Sequence, residues 1–593
     1  MDTLGLLRAE MKKDNLSGFL IPQADTFQNE YIPEDARRLE WLTGFTGSAG
    51  AAVVLEKNAA FFTDGRYTLQ AAQQVDGKRY AIYNTEEMTP AQWIAQEMQK
   101  DAAIGFDPWL YTEDQLAKFK AVCALKPVGN LIDRLWQDKP EMPVLPAYPH
   151  AKKYAGKPAA QKIADIAAAL KREGAHAVLL TSPVSICWLF NIRGGDLAHT
   201  PLLMAYALVF HDGEAVLFTD ARKIDGKTSA HLGDKVIVMD FRLMKDALAG
   251  LKDKKIHVDS ALTPYALTVM LHQAGAEVIR KEDPCILPRA CKNMVETTGA
   301  RAAHVRDGVA LCRFFCWLES ALGNKEITEV SIAEKLLQFR QMGKYFHSAS
   351  FDTIAGFGAN GAIVHYRPEP GKCATLAKDN LLLLDSGGQY ADGTTDVTRT
   401  IALGKPTAEQ KRHFTLVLKG HIALARAVFP EGTNGGQLDA LARAPLWQAG
   451  LDYDHGTGHG VGSFLNVHEG PQRIGKRGSG AVLHPGMIIS NEPGYYREGH
   501  YGIRIENLVV VVPSDAGEDG RKFHALRIMT LVPMDRKLVD KSLLSVEELR
   551  WLNAYHVRVK KILSPLLDAP ARTWLANATE TLSVQSPFMK GLS

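Results

Sequence analysis

Leu381 to Leu384 is an unbroken apolar run, and it ends on an acid, Asp385. Ser386, Gly387 and Gly388 follow, and the chain re-enters a β-branched run around a second acid, Asp396, in Thr394-Thr395-Asp396-Val397-Thr398. The pattern predicts two strands joined by a Gly-rich turn, with an acid at corresponding depths of each. Two carboxylates aimed into one buried site repel each other unless a cation lies between them. A fold that keeps both acids must therefore bring further ligands to them. Downstream, His459, Glu492 and Glu506 are the candidates.

Each candidate stands on readable local structure. The period-two rule puts Asp396, Thr398 and Thr400 on one strand face. His459 lies in His455-Gly456-Thr457-Gly458-His459-Gly460, where glycine permits close backbone approach. Glu492 ends the run Met487–Asn491 and precedes a predicted Pro-Gly turn. Around Glu506, Arg504 and Glu506 share one face, with Ile503 and Ile505 on the other. An Asp before Gly is most often a turn residue, and a lone His in a Gly-rich loop is usually not a ligand. Five such residues in order, each on or at the end of a strand, are not explained by unrelated turns.

Charge balance sets the metal count. With four carboxylates and one imidazole, a single divalent ion leaves about two negative charges uncompensated in a partly desolvated site. Two divalent ions bring the site near neutrality. Carboxylate-rich ligation with one His and no Cys favours hard or borderline ions, Mn²⁺ first, then Co²⁺, Fe²⁺ or Zn²⁺. Two such ions about 3.5–4 Å apart lower the pKa of a bridging water and make a hydroxide nucleophile near neutral pH.

Composition bounds the rest. At 593 residues the chain is long enough for about three domains. A net charge of +3 is small for this size and gives no reason to expect nucleic-acid or membrane partners. The seven Cys are odd in number and none has CxxC spacing, so free thiols in a reducing compartment are expected. Cys312 and Cys316 read as apolar residues on the inner face of a helix. The N-terminal stretch Met1–Lys13 is amphipathic with mixed charge and lacks a signal-peptide core. A cytoplasmic location is expected.

Three α/β stretches follow one another. A first runs over residues 1–145, with strands at Gly18–Pro22, Ala51–Leu55 and Ala60–Thr63, a helix over 90–100 and a Pro-rich close around 139–149. A second, over 146–288, repeats the plan, with a helix over 159–173 and strands at Ala177–Thr181, Ala205–Phe210 and Glu214–Thr219. Gly18-Phe19-Leu20-Ile21 matches Ala177-Val178-Leu179-Leu180, Trp41–Phe45 matches Trp188–Ile192, and Phe62-Thr63-Asp64 matches Phe218-Thr219-Asp220. This pattern indicates an internal duplication. The third stretch, 289–593, begins with a helix near 293–322 and holds the whole acid constellation. It closes in an extension from about 535, where Ser545 and Glu548 open a helix over about 545–565. Leu549, Leu552, Tyr555 and Val559 form its packing stripe.

At these residues the chain resembles the pita-bread metallopeptidases, and among them the three-domain Xaa-Pro aminopeptidases (aminopeptidase P). The resemblance is carried by Gly358–Tyr366, Asp385–Thr400, His455–Pro471, Asn491–Tyr496 and Gly502–Asn507. Phe45–Gly50, Thr63–Tyr67, Trp188–Gly194 and Trp551–His556 extend it outside the acid cluster. It implies two creatinase-like α/β domains before a pita-bread catalytic domain with a helical extension. Asp396 and Glu506 would bridge two metal ions, Asp385 would complete one shell, and His459 with Glu492 the other. His365 and His468 would line the substrate site and help move a proton. Arg66 would reach the substrate, His455 would shape the pocket, and Arg504 would hold Glu506. The implied reaction is hydrolysis of the bond between an N-terminal residue and a following proline, on peptide substrates, by a homodimer.

Alternatives remain at this stage. A prolidase would cut only Xaa-Pro dipeptides. The two long leading domains weigh against a methionine aminopeptidase. A metal-free pita-bread module that binds peptides or histones would be expected to lack the acids or the His that this chain keeps.

Overall fold

Helix Thr3–Lys13 leads into strand Gly18–Pro22, the centre of a six-stranded sheet. The computed structural model describes residues 2–98, 102–324 and 326–583. The helix expected over 90–100 runs Pro90–Glu97, and its last two expected positions lie outside the described residues, as do residues 584–593 of the extension.

The chain divides into two compact units, Met1–Arg289 and Ala290–Ser593. The first contains two six-stranded sheets of one topology. In the first sheet, Gly18–Pro22 pairs antiparallel with Ala51–Leu55 and parallel with Ala103–Phe106. In the second, Ala177–Leu180 pairs antiparallel with Tyr206–Phe210 and parallel with Lys255–Val258. The flanking strands repeat the same senses. The duplication reaches single hydrogen bonds. Thr63 Oγ1 donates to the Ala49 carbonyl at 2.7 Å, and Thr219 Oγ1 to the Met204 carbonyl at 3.0 Å. Asp64 takes the backbone and guanidinium of Arg66, and Asp220 those of Arg222.

The second unit opens on the long helix Met294–Ala321, capped by Asn293 and Glu296. Strand Leu381–Ser386 runs between Ile354–Phe357 and Val397–Ala402, antiparallel to both. All four leucines of 381–384 are buried, each contributing about 2 kcal/mol of hydrophobic stabilisation. A six-stranded sheet brings together Gly458–Gly460, Glu469–Ile474, Ile488–Asn491 and Asn507–Ser514.

Two turns expected from glycine are not simple turns. Residues 388–394 form a small hairpin that pairs with Phe346–Ala349 in a separate sheet, so the two acid-bearing strands are joined by structure rather than by a bend. Pro493-Gly494 leads into strand Gly494–Arg497, which pairs with Tyr501–Arg504. At 388–390 backbone pairing from a distant segment outweighs the local turn preference, whereas Gly494–Arg497 and Tyr501–Arg504 form a local hairpin. The extension helix runs Val546–Leu563 with the Ser545–Glu548 capping box and with Leu549, Leu552, Tyr555 and Val559 buried. Tyr555 does more than pack, because its hydroxyl receives Arg399 Nη2 at 3.0 Å and donates to the Val532 carbonyl at 2.7 Å. The cysteines are free thiols.

Candidate metal centre

Strand register decides which carboxylates meet. Asp385 faces Thr398 across the Leu381–Ser386 and Val397–Ala402 pair, and Asp396 lies just before the second strand. Glu506 sits in the short step between Tyr501–Arg504 and Asn507–Ser514, and its backbone N–H donates to the Thr398 carbonyl at 3.2 Å. Glu492 follows strand Ile488–Asn491 and donates its N–H to the Thr457 carbonyl at 2.8 Å.

Ligand atoms of Asp396, His459 and Glu506 all lie within 4.8 Å of one another. His459 Nε2 is 3.5 Å from Asp396 Oδ2 and 3.4 Å from Glu492 Oε1. Its Nδ1 lies 2.9 Å from the Gly460 carbonyl, which can only accept, so Nδ1 donates there and Nε2 is the nitrogen turned towards the acids. Glycine on both sides lets the strand approach so closely. A Cβ at Gly458 would sit 2.0 Å from the Ser490 carbonyl oxygen, and one at Gly460 2.0 Å from that of Glu469.

The acids themselves test whether a cation fits. Asp385 Oδ1, Asp396 Oδ1 and Glu506 Oε1 are buried with no hydrogen-bond partner among the described residues. Burial, then the charge of neighbouring carboxylates, pushes Asp396 and Glu506 well above the ordinary carboxylate range. Three orphaned buried oxygens beside an imidazole nitrogen are the donor set of hard or borderline divalent cations.

A network of neutral and cationic groups holds these acids. Arg504, 1 % exposed, gives Nη2 to Asp385 Oδ2 at 2.6 Å and Nη1 to the Tyr496 hydroxyl at 2.6 Å. Its Nε donates to Thr398 Oγ1, which in turn donates to Glu506 Oε2 at 2.9 Å. The expectation that Arg504 holds Glu506 directly is therefore corrected: it holds Asp385, and reaches Glu506 only through Thr398. Glu506 lies beyond the end of strand Tyr501–Arg504, and strand Leu381–Ser386 supplies the nearer partner. Tyr496 continues the chain to His455 Nε2 at 2.8 Å, while His455 Nδ1 faces the Gly456 carbonyl. Ser490 links the other side, since its Oγ accepts the His459 N–H at 2.9 Å and donates to Glu492 Oε1 at 2.9 Å.

The accessory residues are placed as follows. The His468 ring is 4.3 Å from that of His459, edge to face. The carbonyl of Val364, next to His365, receives Arg504 Nη2 at 3.3 Å. Arg66 belongs to the first unit, where it pairs with Asp64 and Glu30. Sequence reasoning missed Tyr496 and Ser490. Tyr496 lies within a stretch already singled out, next to the Glu-Pro-Gly, and a polar residue two before Glu492 on the same strand face was the available signal for Ser490.

Residues 298–513 match the model of metallopeptidase family M24, and residues 522–582 that of its C-terminal region. Residues 4–135 and 138–296 each match a creatinase/prolidase N-terminal domain. The chain is 36 % identical to aminopeptidase P1 of Lotus japonicus over 98 % of this chain and 100 % of that one. It is 39 % identical to aminopeptidase P2 of Arabidopsis thaliana, over 96 % and 86 %. Among solved structures, an X-prolyl aminopeptidase from Caenorhabditis elegans, described as a cytosolic enzyme with a di-nuclear active site, superposes with a TM-score of 0.93 at 35 % identity, over 98 % of this chain and 99 % of that one. The fold is thus mixed α/β, with creatinase-like domains leading into a pita-bread domain. Likeness that runs the whole length of such relatives, and is not confined to the acid cluster, means that the chain belongs to the aminopeptidase P family of M24 metallopeptidases.

Proposed function

We propose that this protein is a metal-dependent Xaa-Pro aminopeptidase in which Asp385, Asp396, His459, Glu492 and Glu506 hold two divalent ions, Mn²⁺ first among them. The observation that carries the reading is the set of buried carboxylate oxygens of Asp385, Asp396 and Glu506 that have no hydrogen-bond partner among the described residues and that a cation would satisfy. Asp396 and Glu506 would be shared between the ions, Asp385 would hold one of them, and His459 with Glu492 the other. The ions, when bound, supply Lewis acidity and activate water.

The chain's own residues do the rest. Arg504 aims Asp385, and Ser490 fixes His459 and Glu492 relative to each other. His468 and His365 hold the scissile peptide and pass a proton to the leaving proline nitrogen, which has none of its own. The substrate's free α-amine pairs with an acidic ligand, which restricts cleavage to the first residue. His455, tied to Tyr496, shapes the substrate pocket. The domain borders proposed are near 145 and 288, with the extension from about 535; the division at Arg289 supports the second. A homodimer and a cytoplasmic location are part of the same reading; the description of the C. elegans neighbour as cytosolic supports the location.

The test is hydrolysis of Xaa-Pro peptides in Mn²⁺ by Glu492→Ala and His459→Ala. Near-full activity in either would sink the reading. Comparing a dipeptide with Arg-Pro-Pro separates an aminopeptidase from a prolidase.

A further inference from the structure

We infer that Glu329 is a positioning residue for His365, acting as a clasp on the segment that carries it. The inference rests on the proposed substrate-side role of His365. Glu329 opens helix Glu329–Gln341 and is fully buried. Its carboxylate takes hydrogen bonds from both ends of one long segment. Oε1 accepts the Phe357 N–H at 2.6 Å and Asn360 Nδ2 at 3.0 Å. Oε2 accepts Asn360 Nδ2 at 3.0 Å, the Tyr366 hydroxyl at 2.8 Å and the Ala374 N–H at 2.7 Å. Backbone pairing beside it reinforces the closure, with Glu329 N–H on the Ala374 carbonyl and Leu376 N–H on that of Ile327. Between Phe357 and Ala374 the chain has a short 3₁₀ turn at Gly358–Ala362 and no strand, so the carboxylate's bonds to Phe357 and Ala374 bridge a stretch without ladder pairing. His365 lies in this segment between Asn360 and Tyr366, both of which the carboxylate holds. The preceding Val364 carbonyl accepts from Arg504 of the metal centre.

Glutamine cannot replace this carboxylate. Each oxygen of Glu329 receives a backbone N–H, and whichever way a carboxamide is turned, its NH₂ faces one of those N–H groups. Glu329→Gln is expected to lower kcat by about 10²-fold, the scale of a roughly 1 Å misplacement of a reacting group, with little change in KM and none in bound Mn²⁺. A role through His365 also predicts non-additivity: in the His365→Ala background, Glu329→Gln costs almost nothing further. A merely structural role would leave the two effects multiplicative. Tyr366→Phe, which removes one donor and spares the fold, is expected to act in the same direction and more weakly.

Hydrogen exchange on the full-length protein gives a readout independent of catalysis. Glu329→Gln and Tyr366→Phe should speed exchange across 358–373 and leave 383–400 and 488–508 as in the wild type. Multiplicative kinetic effects, or unchanged exchange in 358–373 in both variants, would overturn the inference. If His365→Ala keeps full activity, the role given to His365 fails, while the exchange arm still decides whether Glu329 is the clasp.

Discussion

Arg504 Nη2 lies 2.6 Å from Asp385 Oδ2, and this contact places a buried positive charge behind a carboxylate that already has other carboxylates for neighbours. A charge-assisted hydrogen bond of this kind both aims the carboxylate and lowers the repulsion it feels. Arg504→Met keeps much of the volume and removes the charge. Mn²⁺ affinity is expected to fall about 10- to 100-fold, measured by competition with a fluorescent chelator. A variant that melts earlier but binds Mn²⁺ as tightly as the wild type would show that Arg504 only fills space.

Ser490 makes a prediction that separates the two ions. Its hydroxyl ties the His459 backbone to Glu492 Oε1, and among the described residues it has no bond to Asp385. Ser490→Ala should weaken one of two stepwise Mn²⁺ binding events by about tenfold and leave the other nearly unchanged. Equal weakening of both steps would contradict separate sides for Asp385 and the His459–Glu492 pair.

The role of the accessory histidines in the chemical step is also measurable. If His468, packed edge to face on His459, donates to the developing oxyanion, His468→Ala should cost about 10²–10³ in kcat. The bound Mn²⁺ content should stay at the wild-type level. A loss confined to KM would assign His468 to binding alone.

Much of the site was legible because each acid ends a readable strand. The Leu381–Leu384 run, the β-branched run after Asp396 and the glycines around His459 predicted local structure that tertiary packing did not override. The repeat Phe-Thr-Asp at 62–64 and 218–220 correctly marked matching strand ends, down to the Asp–Arg pairs that follow. What escaped were partners chosen by distant segments. Arg504 meets Asp385 across 119 positions, and Tyr555 meets Arg399 across 156, distances at which strand period says which face a residue takes but not what waits there. The glycines at 387–388 were read as a turn because pairing with Phe346–Ala349 has no local signature.

Buried histidines set the acid limit of stability. His421 and His556 are pushed down to about 3, chiefly by burial and then by the charge of Arg399. His556 Nε2 accepts the Met534 N–H, a bond that protonation breaks. A folded-state value below the unfolded value of ~6.5 means stability is fully present above pH ~6.5 and is lost as pH falls towards 3. Well below pH 6.5, each histidine should remove about 1.4 kcal/mol per pH unit. Denaturant unfolding of His556→Gln should show a shallower decline than the wild type between pH 6 and 4.5. An unchanged slope would mean that His556 does not report on acid unfolding.

The metal-free protein should show the opposite trend at its acids. Asp396 and Glu506 are raised above the ordinary carboxylate value, so their contribution is present below pH ~4 and is lost as pH rises through the raised values. Because the ions need deprotonated ligands, the gain in Tm on adding Mn²⁺ to chelator-treated protein should be larger at pH 8 than at pH 5.5. A gain independent of pH would place the ions on other ligands.

The most direct measurement is the rate of arginine release from Arg-Pro-Pro as a function of Mn²⁺ bound per chain, starting from chelator-treated protein. A two-ion centre at Asp385, Asp396, His459, Glu492 and Glu506 predicts no cleavage without metal and a rate that reaches its plateau at two ions per chain. Full cleavage by the metal-free chain, or no cleavage with two ions bound, would contradict it.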